Sequence, residues 1–259
     1  MDIIFEEKNN TGIIILNRPK ALNALNIGMA KSFSEKLYYW ENKSSIERVI
    51  LFGEGKHFCA GGDVKSLYLT RNENSLKKEF FETEYKLNYL ISQFPKEFLS
   101  IWNGVVMGGG VGLSIYGDHR LATNNTKFAM PESAIGFFPD VGGSFFLSQL
   151  PNNIGKYIGL TGQVLEANEL LYFGLATEYF DFSKIDLIKE KFINDGFILS
   201  DKFEVNHESE IIKNINLINK LFEGDIKNIL SNIESNNSKF SKKTLDLLSK
   251  KCPMSLAIT

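Results

Sequence analysis

Glu132 and Asp140 share one apolar stretch, FAMPESAIGFFPDVGG, running from Phe128 to Gly143. A carboxyl framed by Phe128, Met130, Ile135 and Phe137 is partly desolvated, which disfavours its charged form and suits Glu132 to act as a general base or nucleophile. Asp140 follows Phe137, Phe138 and Pro139 and could orient that carboxyl, a water or a substrate hydroxyl. Taken singly, each acid also reads as a solvated loop residue; paired in one apolar frame, they favour a site. Two glycine-rich turns, FGEGKHFCAGGDV (52–64) and NGVVMGGGVGL (103–113), offer the complementary chemistry. Each follows a strand-like run and leads into helix-compatible sequence, leaving unpaired N–H groups where glycine lets a substrate oxygen approach. Aimed at one point, two such turns make an oxyanion hole for a carbonyl under attack. Taken alone, each is equally a tight turn. Gly108, Gly110 and Gly112 do not satisfy GxGxxG, so the dinucleotide reading is set aside.

The elements that must position these residues alternate. TGIIILNRP (11–19), ERVILFGEG (47–55), EFLSIWNGV (97–105) and DHRLAT (118–123) read as strands by their β-branched content and their Gly, Asn and Pro boundaries. Residues 26–42 and 74–94 carry apolar residues at helical spacing. The alternation predicts an α/β core with partly parallel strands over residues 1–182. Residues 183–259 change texture to short amphipathic helices rich in Lys, Asn and Ser (183–194, 208–224, 225–234 and 243–251), a helical region appended to the core. No internal repeat and no Pro/Gly/Ser linker divides the chain.

With 259 residues, 43% of them hydrophobic, the chain can bury a full core. A net charge of −2 leaves no basic footprint for nucleic acid, and no apolar run approaches the ~20 residues that span a bilayer. The N-terminus reads as strand, turn and strand rather than as a signal or transit peptide, so a cytoplasmic protein is expected. Cys59 and Cys252 are too few for a disulfide framework or a cysteine zinc site. His57 and Cys59 would share a strand face as a thiol dyad, but nothing orients the histidine. His119 and His207 have no companions at ligand spacing. Asp63 reads as a cap on loop amides as readily as a substrate contact, Trp40 and Trp102 read as core, and the late lysines as solvated faces.

FCAGGDV, NGVVMGGGVGL and FAMPESAIGFFPDVGG, in that order, resemble the crotonase (enoyl-CoA hydratase/isomerase) superfamily, with LNRPKALNAL (16–25) before the site and LTGQVLEANELLYFGLATEYF (160–180) after it. The resemblance covers nearly the whole chain. It implies a crotonase-like spiral of ββα units with a C-terminal helical region, an acyl-CoA thioester substrate, and an oxyanion hole from the amides of Ala60 and Gly109. It also implies CoA contacts from Lys20 and Ala21 and from Ala60, Gly61, Gly62 and Asp63, with no metal and no cofactor beyond the CoA of the substrate itself. Hydratases of this family carry one acid three residues after the oxyanion glycine and a second in the PE motif. This chain has Gly112 at the first position and keeps Glu132 at the second. With Asp140, and with Glu84 in FFETEYKLNYLI, the pattern is similar to the 3-hydroxyisobutyryl-CoA hydrolase subgroup of valine catabolism. That subgroup implies substrate contacts from Glu84, Gly109, Glu132 and Asp140.

Three other readings stay open. Enoyl-CoA hydratase is one, and dienoyl-CoA isomerase, which places an Asp where this chain has Gly112, is another. The third is a non-catalytic acyl-CoA binder. The acyl group is not fixed, because 3-hydroxyisobutyryl and 3-hydroxypropionyl differ by one methyl, and a homo-oligomer is compatible with the pattern. In the resembling hydrolases a segment like CPMSL opens a helix that continues further. The chain is therefore expected to be shorter at its C-terminus than its functional relatives, with apolar surface of residues 186–259 exposed or covered by a partner.

Overall fold

The computed structural model describes residues 1–198 and 200–259. Strand β1 (Ile3–Lys8) folds back antiparallel on β2 (Thr11–Leu16) through Asn9 and Asn10, at φ 49° and 62°. Both turn residues are left-handed, the geometry that matches strand twist and that asparagine tolerates. From β2 onward, β3 (Arg48–Gly53), β4 (Glu97–Trp102), β6 (His119–Thr123) and β8 (Glu178–Phe180) add in parallel, giving the order β1-β2-β3-β4-β6-β8. A second, smaller sheet pairs β5 (Val105–Met107) with β7 (Lys127–Ala129). Isolated bridges extend it, Cys59 to Val106 and Phe128 to Leu165, and a further bridge joins Leu25 to Gly62. The chain thus visits the large sheet and then the small layer on successive turns, a spiral of ββα units. The short strands and bridges hold both glycine turns at its inner edge.

The helices between strands follow the apolar spacing. Helix α1 (Ile27–Glu41) is capped by Asn26, whose side chain accepts from Met29 N at 2.8 Å, and buries Met29, Ala30, Phe33, Leu37 and Trp40. The short α2 (Val64–Leu69) leads to α3 (Asn74–Ser92), which packs on α1 and buries Phe80, Leu87 and Ile91 together with two polar residues, Glu84 and Asn88. Helix α4 (Gly109–Gly112) is a single buried turn. The β-strands alternate faces: Ile14 and Leu16 enter the main core, while Ile13, Ile50, Leu99 and Leu121 face a second cluster.

The helical region departs from expectation in its packing. Helix Ile185–Asp195 places Ile185, Ile188 and Phe192 in that second cluster. The later helices join the main core through Ile211, Ile218, Phe222, Ile229, Ile233, Phe240, Leu248 and Leu256. The expected helix 208–224 is interrupted at Asn214, with Glu210–Lys213 and Ile215–Leu221 on either side. The broad apolar exposure expected over residues 186–259 is not found. Among the described residues of that stretch, the exposed large apolar side chains are Leu187, Phe197, Met254 and Ile258. The remaining apolar faces are buried against the core, which removes them from water without a partner.

In β2, Gly12 lies directly against the ring of Trp40 from α1. A Cβ there would sit 2.7 Å from the Trp40 ring, itself fully buried. Gly12→Ala should therefore cost about 1–3 kcal/mol through overpacking. Urea denaturation would read this as a lower midpoint with an unchanged slope.

Candidate active site

The two glycine turns meet backbone to backbone. A Cβ built on Gly109 would lie 3.1 Å from the Gly62 nitrogen, and one on Gly61 3.6 Å from the Gly109 nitrogen. Gly61 and Gly108 have φ of +111° and +49°, conformations that glycine enters without strain. One expectation needs correction here. The Ala60 N–H donates to the Leu22 carbonyl at 3.0 Å, so it is already engaged and is not one of a pair of free donors. The amide that faces the Gly109 turn belongs to Gly62. Among the described residues neither the Gly62 nor the Gly109 N–H donates to another backbone group, and the latter stands in the first turn of α4, where no intrahelical acceptor exists.

The loop bearing Lys20 and Ala21 is laced to the first glycine turn. Besides Ala60 to Leu22, Leu25 N donates to Gly61 O and Asp63 N to Leu25 O, both at 2.8 Å. The two segments expected to contact CoA are therefore neighbours, with Lys20 and Ala21 exposed. Asn23, which sequence reasoning passed over, fixes this loop from inside. Fully buried, it donates to the carbonyls of Glu54 (3.0 Å) and His57 (2.7 Å) and accepts from Arg18 N (2.8 Å). Asp63 caps α2 by accepting from Ser66 N at 3.1 Å and pairs with Arg18 at 2.8 Å. Burial opposes its ionisation, but the Ser66 N–H and the Arg18 guanidinium outweigh that and hold its carboxyl below the usual range.

Three acids close on the second glycine turn. Glu132 begins the 3-10 turn Glu132–Ile135, and its Oε1 would stand 2.9 Å from a Cβ on Gly108. Glu84, from α3, presses its carboxyl where a Cβ on Gly109 would be. Glu132 is 5% exposed and Glu84 2%, and each keeps one carboxyl oxygen without a partner among the described residues. Burial first, and then the charge of Asp140, push both up to about 8; Glu132 adds a further push on Glu84. Asp140 accepts a hydrogen bond from Tyr85 Oη at 2.8 Å, and burial raises it despite that bond.

Asp140 opens a strained turn. Val141 has φ +45°, an outlier for a β-branched residue. Tyr116 Oη donates to the Val141 carbonyl at 2.9 Å and helps hold it there. Val141 in turn packs over Gly112, where an added Cβ would come within 2.6 Å of Val141 Cβ and 2.9 Å of Asn88 Nδ2. A groove of about 1210 Å³ opens beside this turn, lined by Tyr85, Asn88, Tyr116, Asp140, Val141 and Phe145 among others. Glu84 and Glu132 lie outside that lining, on the buried side.

The other candidates resolve into structural roles. Cys59 is fully buried beneath Gly110, and burial pushes its thiol up to about 12, the opposite of a nucleophile. His57 Nδ1 accepts from Val105 N at 3.2 Å and braces the small sheet. His119 bridges Glu97 (3.3 Å) and Glu178 (2.7 Å) across the strand starts. Among the described residues no group of His, Cys, Asp and Glu could hold a metal ion. The arrangement can bind a carbonyl oxygen at two amides and bring a high-pKa carboxyl to its carbon.

A family model described as enoyl-CoA hydratase/isomerase matches residues 11–259. The zebrafish (Danio rerio) protein named 3-hydroxyisobutyryl-CoA hydrolase, mitochondrial, is 38% identical over all of this chain and 72% of its own length. The human protein of the same name is 34% identical over all of this chain and 71% of its own. Among solved structures, a carnitinyl-CoA dehydratase from Mycobacterium thermoresistibile superposes with a TM-score of 0.93 at 34% identity, covering 100% of this chain and 77% of the other. An enoyl-CoA hydratase from Rhodobacter sphaeroides 2.4.1 gives 0.93 at 31% identity, covering 99% and 77%.

The buried acids tie stability to pH. Glu84 and Glu132 bind protons more tightly folded than unfolded, so their stabilising contribution is full below their ordinary value of 4.5 and is lost as pH rises through about 8. The urea midpoint should therefore fall as pH rises from 4.5 to about 8. The double variant Glu84→Gln, Glu132→Gln should flatten that slope. A wild-type midpoint that rises over the interval would show that the carboxyls are not held protonated.

Proposed function

The chain belongs to the enoyl-CoA hydratase/isomerase family, and from that premise we propose that it hydrolyses the thioester of a short 3-hydroxyacyl-CoA, 3-hydroxyisobutyryl-CoA above all. One observation carries the reading. Glu84, Glu132 and Asp140 gather around the Gly108–Gly109 turn, while the position that would hold a second hydratase acid, Gly112, is filled from outside by Val141 and Asn88. The relatives named hydrolases support the same conclusion.

In this proposal the thioester carbonyl oxygen sits between the N–H groups of Gly62 and Gly109. Attack on the carbonyl carbon moves charge onto that oxygen, and each fixed donor contributes about 2.7–4 kcal/mol to the transition state. Glu132 acts in one of two ways. As a base it removes a proton from water while the water oxygen bonds to the carbonyl carbon; as a nucleophile it bonds to that carbon itself and forms an anhydride that water then opens. On either route the C–S bond breaks and CoA leaves as a thiolate, a good leaving group with a pKa of about 8.5. Asp140, held by Tyr85, orients the acyl group or water, and Glu84 closes the far side of Gly109. No metal or redox cofactor enters the proposal.

Hydration is the second reading, because two similar solved structures are named for a dehydratase and a hydratase. The packing at Gly112 weighs against it, since a Glu there has no room beside Val141. A non-catalytic binder would need the amides and the groove but not three acids in apolar surroundings, whose burial is costly. No helix among the described residues is long and apolar enough to cross a membrane. A cytoplasmic location belongs to the proposal, set against relatives that are named mitochondrial.

Release of free CoA across short 3-hydroxyacyl-CoA and 2-enoyl-CoA thioesters tests the reading. CoA release from 3-hydroxyisobutyryl-CoA with poor hydration of crotonyl-CoA is expected; robust hydration without CoA release would overturn it. Glu132→Gln should lower kcat by about 10²–10⁴-fold with a smaller change in KM. Because Glu132 must ionise to act, kcat/KM of the wild type should rise with pH towards about 8. A single turnover in heavy-oxygen water identifies direct attack when solvent oxygen appears in the Glu132 carboxyl, because water opening the anhydride at the Glu132 carbon leaves its oxygen there, whereas the base route labels the acid product alone. Gly112→Glu should lower the melting temperature without creating hydratase activity.

A further inference from the structure

The carboxamide of Asn88 is a polar group for which the fold supplies no partner. Asn88 is 5% exposed, and neither its Oδ1 nor its Nδ2 has a hydrogen-bond partner among the described residues. Buried polar groups left unpaired at both ends call for an explanation. The other unpaired buried atoms differ: Ser100, Trp102 and Ser255 each leave a single atom unmet and line no part of the groove, and Glu84 and Glu132 already belong to the site. Asn88, by contrast, lines the large groove beside Asp140 and Val141. It lies one helical turn after Glu84 on α3, on the same face. Where Glu84 abuts Gly109 at the start of α4, Asn88 abuts Gly112 at its end, with Nδ2 2.9 Å from the position of a Cβ there.

That offset matches a substrate. From Gly109 to Gly112 the helix axis advances about 4.5 Å. A hydroxyl two carbons beyond a thioester carbonyl held at the Gly109 amide reaches about that far. We propose that Asn88 reads the acyl hydroxyl, its carboxamide hydrogen-bonding the 3-hydroxyl of the bound thioester. The proposal rests on the hydrolase reading above. A neutral carboxamide carries one acceptor and two donors, so it pairs with a hydroxyl, which both donates and accepts. An apolar acyl branch would leave both ends of Asn88 unmet, and an anionic group would face Asp140 and Glu84. Gly112 is then part of the same device: the space beside it is held by a neutral side chain from α3 instead of by an acid of its own.

The test compares 3-hydroxyisobutyryl-CoA with isobutyryl-CoA, which lacks only the hydroxyl, using the full chain and its Asn88→Leu variant. Leucine keeps the branched outline of asparagine, with the same number of side-chain heavy atoms, and has no polar atoms. The wild type should prefer the hydroxylated thioester in kcat/KM by about tenfold or more, since a site that hydrogen-bonds a hydroxyl discriminates strongly against its absence. Asn88→Leu should bring that ratio near unity while the isobutyryl-CoA rate stays within about twofold, and its melting temperature should not fall, because two unpaired groups have been replaced by apolar surface. A parallel fall in both rates, or a lower melting temperature, would make Asn88 a structural residue and overturn the proposal. Equal CoA release from both thioesters by the wild type would overturn it and leave the hydrolase reading standing. If the wild type releases CoA from neither, the hydrolase reading fails, and calorimetric binding of the two thioesters to Glu132→Gln decides the matter for Asn88. A preference for the hydroxylated ligand that vanishes on adding Asn88→Leu supports the proposal, and equal affinities overturn it.

Discussion

Two glycine turns, Gly61–Gly62 and Gly108–Gly110, pack backbone against backbone with no side chain between them. That contact requires the chain to return to the same place after two different strands, β3 and β5, and to arrive each time with its amides facing inward. The parallel sheet delivers the returns, and the bridges of Leu25 to Gly62 and Cys59 to Val106 fix their depth. Cys59 packs under Gly110 so closely that any Cβ there would meet the Cys59 Cβ at 2.8 Å. The fold can therefore present two N–H groups to one oxygen only because glycine occupies both sides of the contact.

Closing carboxyls around that contact sets stability against chemistry. Water is excluded from Glu84 and Glu132, and each feels the charge of Asp140, so the folded chain favours their protonated forms. The chemistry proposed for Glu132 needs the ionised form. The same desolvation that makes a carboxylate a strong base makes its ionisation destabilising, so each buried carboxyl added at this contact weakens the fold above its raised pKa. The Arg18 and Asp63 pair shows the contrasting case. There a carboxyl is met by a guanidinium and a helix-start N–H, and it stays ionised as a structural clasp for the first glycine turn.

The sequence carried the long periodic elements and lost the short ones. Strands β2, β3, β4 and β6 and helices α1 and α3 were legible because each holds a continuous apolar run or a helical stripe. The three-residue strands β5, β7 and β8 were not legible, because neighbours impose their extended geometry and their own residues carry no pattern. At the site, residue types and order pointed to Glu84, Glu132, Asp140 and the glycine turns, and the structure brings those groups together. What the motif could not say is which amide of the first turn is free. That depends on Leu22, whose carbonyl takes the Ala60 N–H across a long loop. The left-handed Val141 and the packing of Gly112 were equally invisible, since a β-branched residue is a poor candidate for positive φ until Tyr116 is seen to hold it.

One helix face links these parts. On α3, Glu84 reaches Gly109, Tyr85 reaches Asp140 and Asn88 reaches Gly112, so a single rigid element touches the start of α4, its end and the strained turn beyond it. Phe81 stacks on Phe137, with ring centroids 5.4 Å apart, and Phe137 on Phe138 at 4.5 Å, which carries the same clamp to the loop between Glu132 and Asp140. Helix α3 is in turn anchored on α1 through Leu87 and Ile91 in the main core. A shift of α3 along its axis would move the three polar contacts together, so the acids and the glycine amides keep their spacing as a unit. The buried polar residues of α3 cost the fold stability that an apolar face would have supplied, and their positions, one turn apart beside a glycine helix, are the reason that cost is tolerated at a site and nowhere else on the same helix.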